Sequence, residues 1–166
     1  MLLMYLMAIT AAQRSIYLAT AYFVPDDLAI KALVAASQRN VRVRIITPGP
    51  LIDSDIVRSA SRACWGKLLE AGVEIAEYQP AMFHVKSMVV DELLVSVGST
   101  NFDNRSFRIN DEANLNVFDE SLALRQMDIF DADWKKSKPV TLDMWQRRPL
   151  REKLFECLTT LMRSQL

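Results

Sequence analysis

Short apolar blocks alternate along this chain between a period near two and a period near 3.6, with turn residues between them. Met1 to Ile9 is almost wholly apolar, and Gln13 and Arg14 end it well short of the roughly 20 residues that span a bilayer. It lacks a basic leader, so it is read as an amphipathic helix from about Leu3 to Arg14, with Leu3, Leu6, Met7 and Thr10 inward, and not as a signal peptide or a transmembrane helix. Ser15 to Phe23 alternates β-formers and ends at Pro25-Asp26, where Asp26 caps a helix running to Asn40 through Leu28, Ala32, Leu33 and Ala36. Val41 to Thr47 is the next strand, so the three elements make a strand, helix, strand unit with a parallel crossover. After Pro48-Gly49-Pro50, Asp53 or Ser54 caps a helix with Ile56, Ala60, Ala63, Cys64, Lys67, Leu68 and Ala71 inward and a left-handed stop at Gly72. Val73 to Tyr78 and Ala113 to Phe118 are further strands.

Between them, Lys86 to Val90 and Leu93 to Val97 are two β-branched runs around Asp91-Glu92, which predicts an antiparallel hairpin. A loop symmetric about that pair sets Lys86 opposite Val97 and His84 opposite Ser99. Alternation then places His84 and Lys86 on one face, with Ser99 and Asn101 two apart. About six strands interleaved with helices predict an α/β layered domain with a mixed β-sheet flanked by helices. The whole of residues 1–166 reads as one such domain, with a helical tail from about residue 120 split by Pro139 and Pro149. In that tail Leu154, Phe155, Leu158, Leu161 and Met162 form a stripe flanked by Arg151, Lys153 and Arg163, read as core packing.

Composition narrows the function classes. Lys plus Arg and Asp plus Glu balance at 20 each, so nothing global favours nucleic acid or an anionic membrane. Cys64 and Cys157 lack metal-type spacing and are read as reduced thiols, with no metal and no cofactor expected. With four glycines and no G-x-G-x-x-G after a strand, a dinucleotide-binding fold is disfavoured.

The hairpin region carries the candidate chemistry, including the only histidine in the chain, His84. A histidine can attack phosphorus or pass a proton near neutral pH. Lys86 offers a compact cation for phosphate oxygens, and Ser99 and Asn101 offer neutral donors. Glu112 begins the last strand and can accept the other ring N–H of His84. Asp91, at the turn, is read from spacing as structural, bonding turn amides.

These residues spell H-x-K-x4-D-x6-G-S-x-N and resemble the HKD motif of the phospholipase D superfamily. The likeness extends over essentially the whole chain, which resembles the C-terminal half of bacterial cardiolipin synthases: Tyr22-Phe23-Val24-Pro25, VRVRIITPG, Glu70 to Ile75, Glu77 to Pro80, GSTNFDNRSFRINDEANLNVFD and Trp145 to Leu150. The resemblance implies a phospholipase D-like domain in which two HKD motifs meet at one site, one histidine forming a phosphohistidine and the other protonating the leaving group. It implies that His84, Lys86, Asp91 and Glu112 are catalytic-motif residues, that Lys86, Ser99 and Asn101 hold phosphate, and that no metal is needed.

One motif and one histidine make half of such a site. The second half is expected from a homodimer or a partner chain, or the chain is a catalytically incomplete fragment; Met1 falls about where the second half of a cardiolipin synthase would begin. The expected reaction is phosphatidyl transfer on a phosphatidylglycerol-like phospholipid, by a protein peripheral to the bacterial inner membrane. Met1 to Ile9, Met82-Phe83 and the final helix are the candidate lipid-facing segments. The alternatives are a dimeric, metal-independent phosphodiesterase acting on nucleic acid, using Arg39, Arg42, Arg44, Arg105 and Arg108, and a non-catalytic, partner-dependent half-domain.

Overall fold

The apolar run at Ser15–Thr20 is buried at every residue and becomes the middle of the sheet. The computed structural model describes residues 1–160, without the side chains of residues 157, 158 and 160. In chain order the elements are α1 (Leu2–Ala11), β1 (Ser15–Thr20), β2 (Phe23–Val24), α2 (Asp27–Gln38), β3 (Arg42–Pro48), α3 (Asp55–Ala63), α4 (Trp65–Glu70), β4 (Glu74–Tyr78), β5 (Lys86–Val90), β6 (Leu94–Gly98), β7 (Phe102–Asp103), α5 (Asn104–Arg108), β8 (Asn114–Phe118), α6 (Glu120–Trp134), β9 (Ser137–Val140), α7 (Leu142–Gln146) and α8 (Leu150–Thr160). Seven strands form one mixed sheet in the order β8-β6-β5-β1-β3-β4-β9, while β2 and β7 pair as a separate parallel ribbon. β1, β3 and β4 are parallel, and β5, β6, β8 and β9 are added antiparallel.

Local signals set the helix ends. Asp26 accepts the Ala29 amide at 2.8 Å to start α2, and Ser54 accepts the Val57 amide at 3.4 Å to start α3. Gly72 takes φ 88°, a conformation that favours glycine, where the chain leaves α4. The expected single helix before Gly72 is broken at Cys64, which is buried and not in a disulfide. Its inward face is Val57, Ala60, Ser61, Cys64, Trp65 and Leu68, whereas Ile56 and Lys67 point outward.

The larger core lies on the face covered by α1, α2 and α4, and includes Tyr5, Ile9, Leu33, Trp65, Leu68, Met88 and Phe102. α1 buries Tyr5, Ala8 and Ile9, and leaves Leu3 and Met7 at 71% and 64% exposure, which reverses the expected face. A helix apolar on nearly every side carries no periodic signal to select one. Across the sheet, α6 covers Tyr17, Ala19, Ile46, Val89 and Val95. Arg44 pins it there from β3: its guanidinium bonds Asp131 at 2.6 Å and lies 4.0 Å from the Trp134 ring centre.

The tail differs from its expected pattern. Residues 137–140, around Pro139, form an edge strand, where a missing amide costs no ladder bond. α8 packs on α3 through buried Glu156 and Thr159, and the two described members of the expected apolar stripe, Leu154 and Phe155, are exposed. Leu161, Met162 and Arg163, with the side chains of Cys157 and Leu158, lie outside the described residues. Arg62 joins Glu77, Glu152 and Glu156, and Arg148 closes on Glu156, so an ion network holds the described part of the helix. No described helix is long and apolar enough to cross a membrane.

The hairpin has the expected two-residue turn, but not the expected register. Asp91 and Glu92 both take positive φ, 55° and 59°, and the Leu93 amide donates to the Val90 carbonyl at 3.1 Å. Leu93 then gives its own carbonyl to the Asp119 amide at 2.9 Å, and Val90 pairs with Leu94. The ladder is therefore shifted by one, with Val97 opposite Ser87 and not Lys86. Asp91 ties the turn to the start of β1: its carboxylate accepts the amides of Gln13, Arg14 and Ser15 at 2.8, 2.7 and 2.9 Å. These belong to a distant segment, not to the turn itself.

Removing that carboxylate is expected to cost roughly 1–3 kcal/mol of stability. Asp91→Gly should lose about 1 kcal/mol less than Asp91→Ala, because alanine also strains the left-handed backbone. Urea unfolding of both variants measures this; equal stability of wild type and Asp91→Ala would show that the clamp contributes nothing.

Candidate active site

β5 sits between β1 and β6, with Lys86 paired to Thr20 at its first residue. The chain arrives from β4 through residues 79–85, and Phe83 anchors it by burying its ring against Tyr78, 4.8 Å between centres. Phe83 is thus part of the core, which removes it from the expected lipid-facing pair; Met82 is exposed. His84 is exposed, two residues before Lys86. The Lys86 ammonium lies 3.0 Å from its Nδ1 and 3.4 Å from its Nε2, and donates to the His84 carbonyl at 3.2 Å. An ammonium can only donate, so the ring nitrogen it bonds carries the lone pair.

Desolvation lowers the Lys86 pKa, opposed by the charges of Glu112, Asp53 and Asp103. Three carboxylates therefore act on this one lysine through their charge. Asp103 is the most buried of these at 3% exposure; burial raises it to about 6, against hydrogen bonds from Ser106, whose amide lies 2.7 Å from Oδ1 at the start of α5. Burial pushes Glu112 up as well, but donors on Ser99, Asn110 and Ser106 and the Lys86 charge outweigh it, leaving the carboxyl below its ordinary value.

Ser99 reaches this cluster because the chain leaves the ladder at Gly98. A Cβ there would lie 2.2 Å from the Ala113 carbonyl oxygen, so only glycine permits the approach. Ser99 Oγ then accepts the Ala113 amide at 3.0 Å. Thr100 is held by Asn114, whose Oδ1 accepts its amide and hydroxyl at 3.2 and 2.7 Å while its Nδ2 donates to Tyr5 and Ser96. Asn101 Oδ1 is buried with no hydrogen-bond partner among the described residues.

Of the residues singled out from the sequence, His84, Lys86, Ser99 and Glu112 are thus linked into one cluster, with Asn101 on the segment between Ser99 and β7. Asp91 is at the other end of β5, engaged with the segment before β1. Glu112 precedes β8 instead of beginning it; its Oε1 accepts from Asn110 at 3.2 Å, and no hydrogen bond joins it to the His84 ring. Ser99 and Asn101 owe their place to the bend after Gly98, since the shifted register breaks the simple alternation expected for them.

Two further residues adjoin the histidine. The Tyr22 ring stands edge-on to His84, 6.4 Å between centres, and its hydroxyl donates to Asp53 Oδ2 at 2.6 Å. Burial, then the hydrogen bond and charge of Asp53, push the Tyr22 phenol up to about 12. Tyr22 was visible only within a family-like stretch and Asp53 only as a possible cap. The available signal was position: each follows the C-terminal end of a parallel strand, where open α/β sheets place ligand-binding groups.

Four of the five arginines considered for nucleic acid are engaged within the fold, and the fifth, Arg105, is exposed on α5. Arg39 bonds the carbonyls of Ile9, Thr10 and Ala12, Arg42 pairs with Glu74, Arg44 is buried on Asp131, and Arg108 pairs with Asp26. Among the described residues no three His, Cys, Asp or Glu side chains are arranged to hold a metal ion.

A family model described as "Cardiolipin synthase, PLD-like domain" matches residues 5–134. A cardiolipin synthase of Geobacillus sp. (strain WCH70) is 39% identical over 96% of this chain and 32% of its own length. The chain thus spans about a third of the length of that curated relative. Among solved structures, the phospholipase D family member Nuc from Salmonella typhimurium matches with a TM-score of 0.75 and 25% identity, over 84% of this chain and 90% of its own. Phosphatidylserine synthase of Haemophilus influenzae Rd KW20 shares the fold, with a TM-score of 0.76 at 14% identity over 96% of this chain and 43% of its own.

Asp103 gives the site a pH signature. Its folded pKa of about 6 exceeds the ordinary 3.8, so its contribution to stability is full below about pH 4 and is lost as pH rises through 6. That gap corresponds to ~3 kcal/mol. Asp103→Asn, which keeps an oxygen for the Ser106 amide, should gain about that much on wild type between pH 4 and 7. Urea unfolding across this range tests it, and parallel stability curves would refute it.

Proposed function

The chain belongs to the cardiolipin synthase, PLD-like domain family of the phospholipase D superfamily, and on that premise we propose that it supplies one half of a metal-independent phosphatidyltransferase site. The observation that carries the proposal is the pairing of His84, the only histidine, with the Lys86 ammonium at the open end of the sheet. A nucleophile or proton carrier and a phosphate-binding cation are adjacent, but a two-histidine reaction needs a second ring facing this one.

In the proposed cycle one histidine of the pair attacks the phosphorus of a phosphatidylglycerol. The P–N bond forms as the bond to the glycerol oxygen breaks, and the other histidine protonates that oxygen to release glycerol. A hydroxyl of a second phosphatidylglycerol then attacks the phosphohistidine, gives its proton to the second ring, and leaves as cardiolipin as the P–N bond breaks. His84 is one of that pair, and the second ring comes from another copy or from a partner carrying the remaining HKD half. Lys86, Ser99 and Asn101 hold the phosphate oxygens, with Lys86 moving from the ring to the phosphate when substrate arrives. Glu112, already held by Ser99 and Asn110, accepts the second ring N–H of His84 once the site closes. Asp91 serves the site indirectly, by holding β5. The protein is placed at the membrane surface, where its substrate is, by peripheral contact.

The nucleic-acid reading is weaker, because four of the five arginines it would use, all but Arg105, are occupied by carboxylates and backbone carbonyls. The decisive assay incubates the chain with phosphatidylglycerol vesicles and follows cardiolipin and glycerol by mass spectrometry, with light scattering to report assembly. His84→Ala should reduce turnover by about 10³-fold or more and Lys86→Met by about 10²-fold. Cardiolipin formation that survives His84→Ala, or its absence in wild type both alone and mixed with a chain carrying the other HKD half, would overturn the transferase assignment for this chain.

A further inference from the structure

Beside the histidine stands a carboxylate with no role in the fold. Asp53 lies in the loop after β3, and α3 begins on Ser54, whose hydroxyl takes the capping bond. Asp53 is exposed, and one of its oxygens receives the Tyr22 hydroxyl at 2.6 Å. The Tyr22 ring in turn stands edge-on to His84. The other two carboxylates whose charges act on Lys86 are employed, Asp103 as the cap of α5 and Glu112 with Ser99 and Asn110. Asp53 keeps Oδ1 free of protein partners among the described residues.

A carboxylate next to a phosphate subsite repels the substrate's own charge unless something bound there donates to it. Hydroxyl groups do so without adding charge. In a glycerol 1-ester the free hydroxyl oxygens stand three and four bonds from the ester oxygen, beyond the phosphate, and Asp53 is one ring away from His84 through Tyr22. We propose that Asp53, braced by Tyr22, recognises the hydroxyls of a polyol headgroup and makes the site selective for glycerol-type alcohols over alcohols without a second hydroxyl. This deepens the transferase reading and rests on it for the phosphate subsite. Neither residue takes part in bond making: Asp53 binds the headgroup, and Tyr22 is a positioning residue, since its hydroxyl holds one carboxylate oxygen and turns the other outward.

The test is binding of glycerol 1-phosphate, n-propyl phosphate and ethanolamine phosphate to the full chain, by calorimetry and by the shift of the His84 ring signals. Wild type should bind the glycerol ester about tenfold more tightly than the propyl ester, as expected for one hydrogen bond to a charged acceptor. Asp53→Asn should bring the two esters together, with the propyl ester bound at least as tightly as by wild type, and Tyr22→Phe should lie between. A purely structural role would weaken all esters alike. Equal binding of glycerol and propyl esters to wild type, tighter binding of the ethanolamine ester, persistence of the preference in Asp53→Asn, or no binding of any ester each overturns the proposal. Cardiolipin formation is assayed separately: a glycerol preference without transfer defeats the transferase reading and leaves Asp53's role standing, and transfer without the preference does the reverse.

Discussion

The register of one central strand governs this molecule, and Asp91 fixes it. Five hydrogen bonds join Asp91 to residues 13–15: three amides to its carboxylate, the Arg14 guanidinium to its carbonyl, and its own amide to the Ser15 carbonyl. They lock Val90 opposite Ile16, and from there the β1–β5 ladder runs without a break to Lys86 opposite Thr20. Side chains on a strand alternate, so a slip of one residue would send Lys86 to the face that α6 covers and Val89 to the opposite one. Asp91, at the opposite end of β5 from His84, therefore acts on it through the whole length of that strand.

What that register delivers is a site of unusual charge balance. Lys86 is partly desolvated and is acted on by the charges of Glu112, Asp53 and Asp103. Each carboxylate is held differently: Glu112 by side-chain donors, Asp103 by the first turn of α5, and Asp53 by a single phenol. Burial depth then sorts their protonation. Asp103, deepest, is raised to about 6, while Glu112, nearer the surface and better supplied with donors, is lowered. An arrangement of this kind orients the cation against the histidine.

The periphery is organised by charge more than by apolar burial. Arg44 fastens α6 through Asp131 and the Trp134 ring, and Arg62 and Arg148 fasten α8 through Glu152 and Glu156. The two edges of the main sheet differ. β9 carries Lys138 and Pro139, residues that discourage further pairing, whereas β8 presents Leu115 and Phe118, both largely exposed.

Much of this was legible in the sequence where a few neighbouring residues decide the outcome. The strand, helix, strand order, the caps at Asp26 and Ser54, the stop at Gly72 and the two-residue turn at Asp91-Glu92 all follow from local chemistry, and so does the grouping of His84, Lys86, Gly98, Ser99 and Asn101 around one hairpin. Other features depend on partners far along the chain. The hairpin register turned on the Asp119 amide taking the Leu93 carbonyl, and the function of Asp91 on amides 76 to 78 residues away. The buried face of α1 was set by the rings of Phe102 and Phe107 meeting Tyr5, because a helix apolar all round gives no pattern of its own. Tyr22 and Asp53 became part of the site only when parallel pairing brought the ends of β1 and β3 side by side. Local chemistry determined which polar groups the hairpin and its flanks carry; the packing of distant strands decided which of them face one another, since a side chain's direction depends on what its strand is paired with.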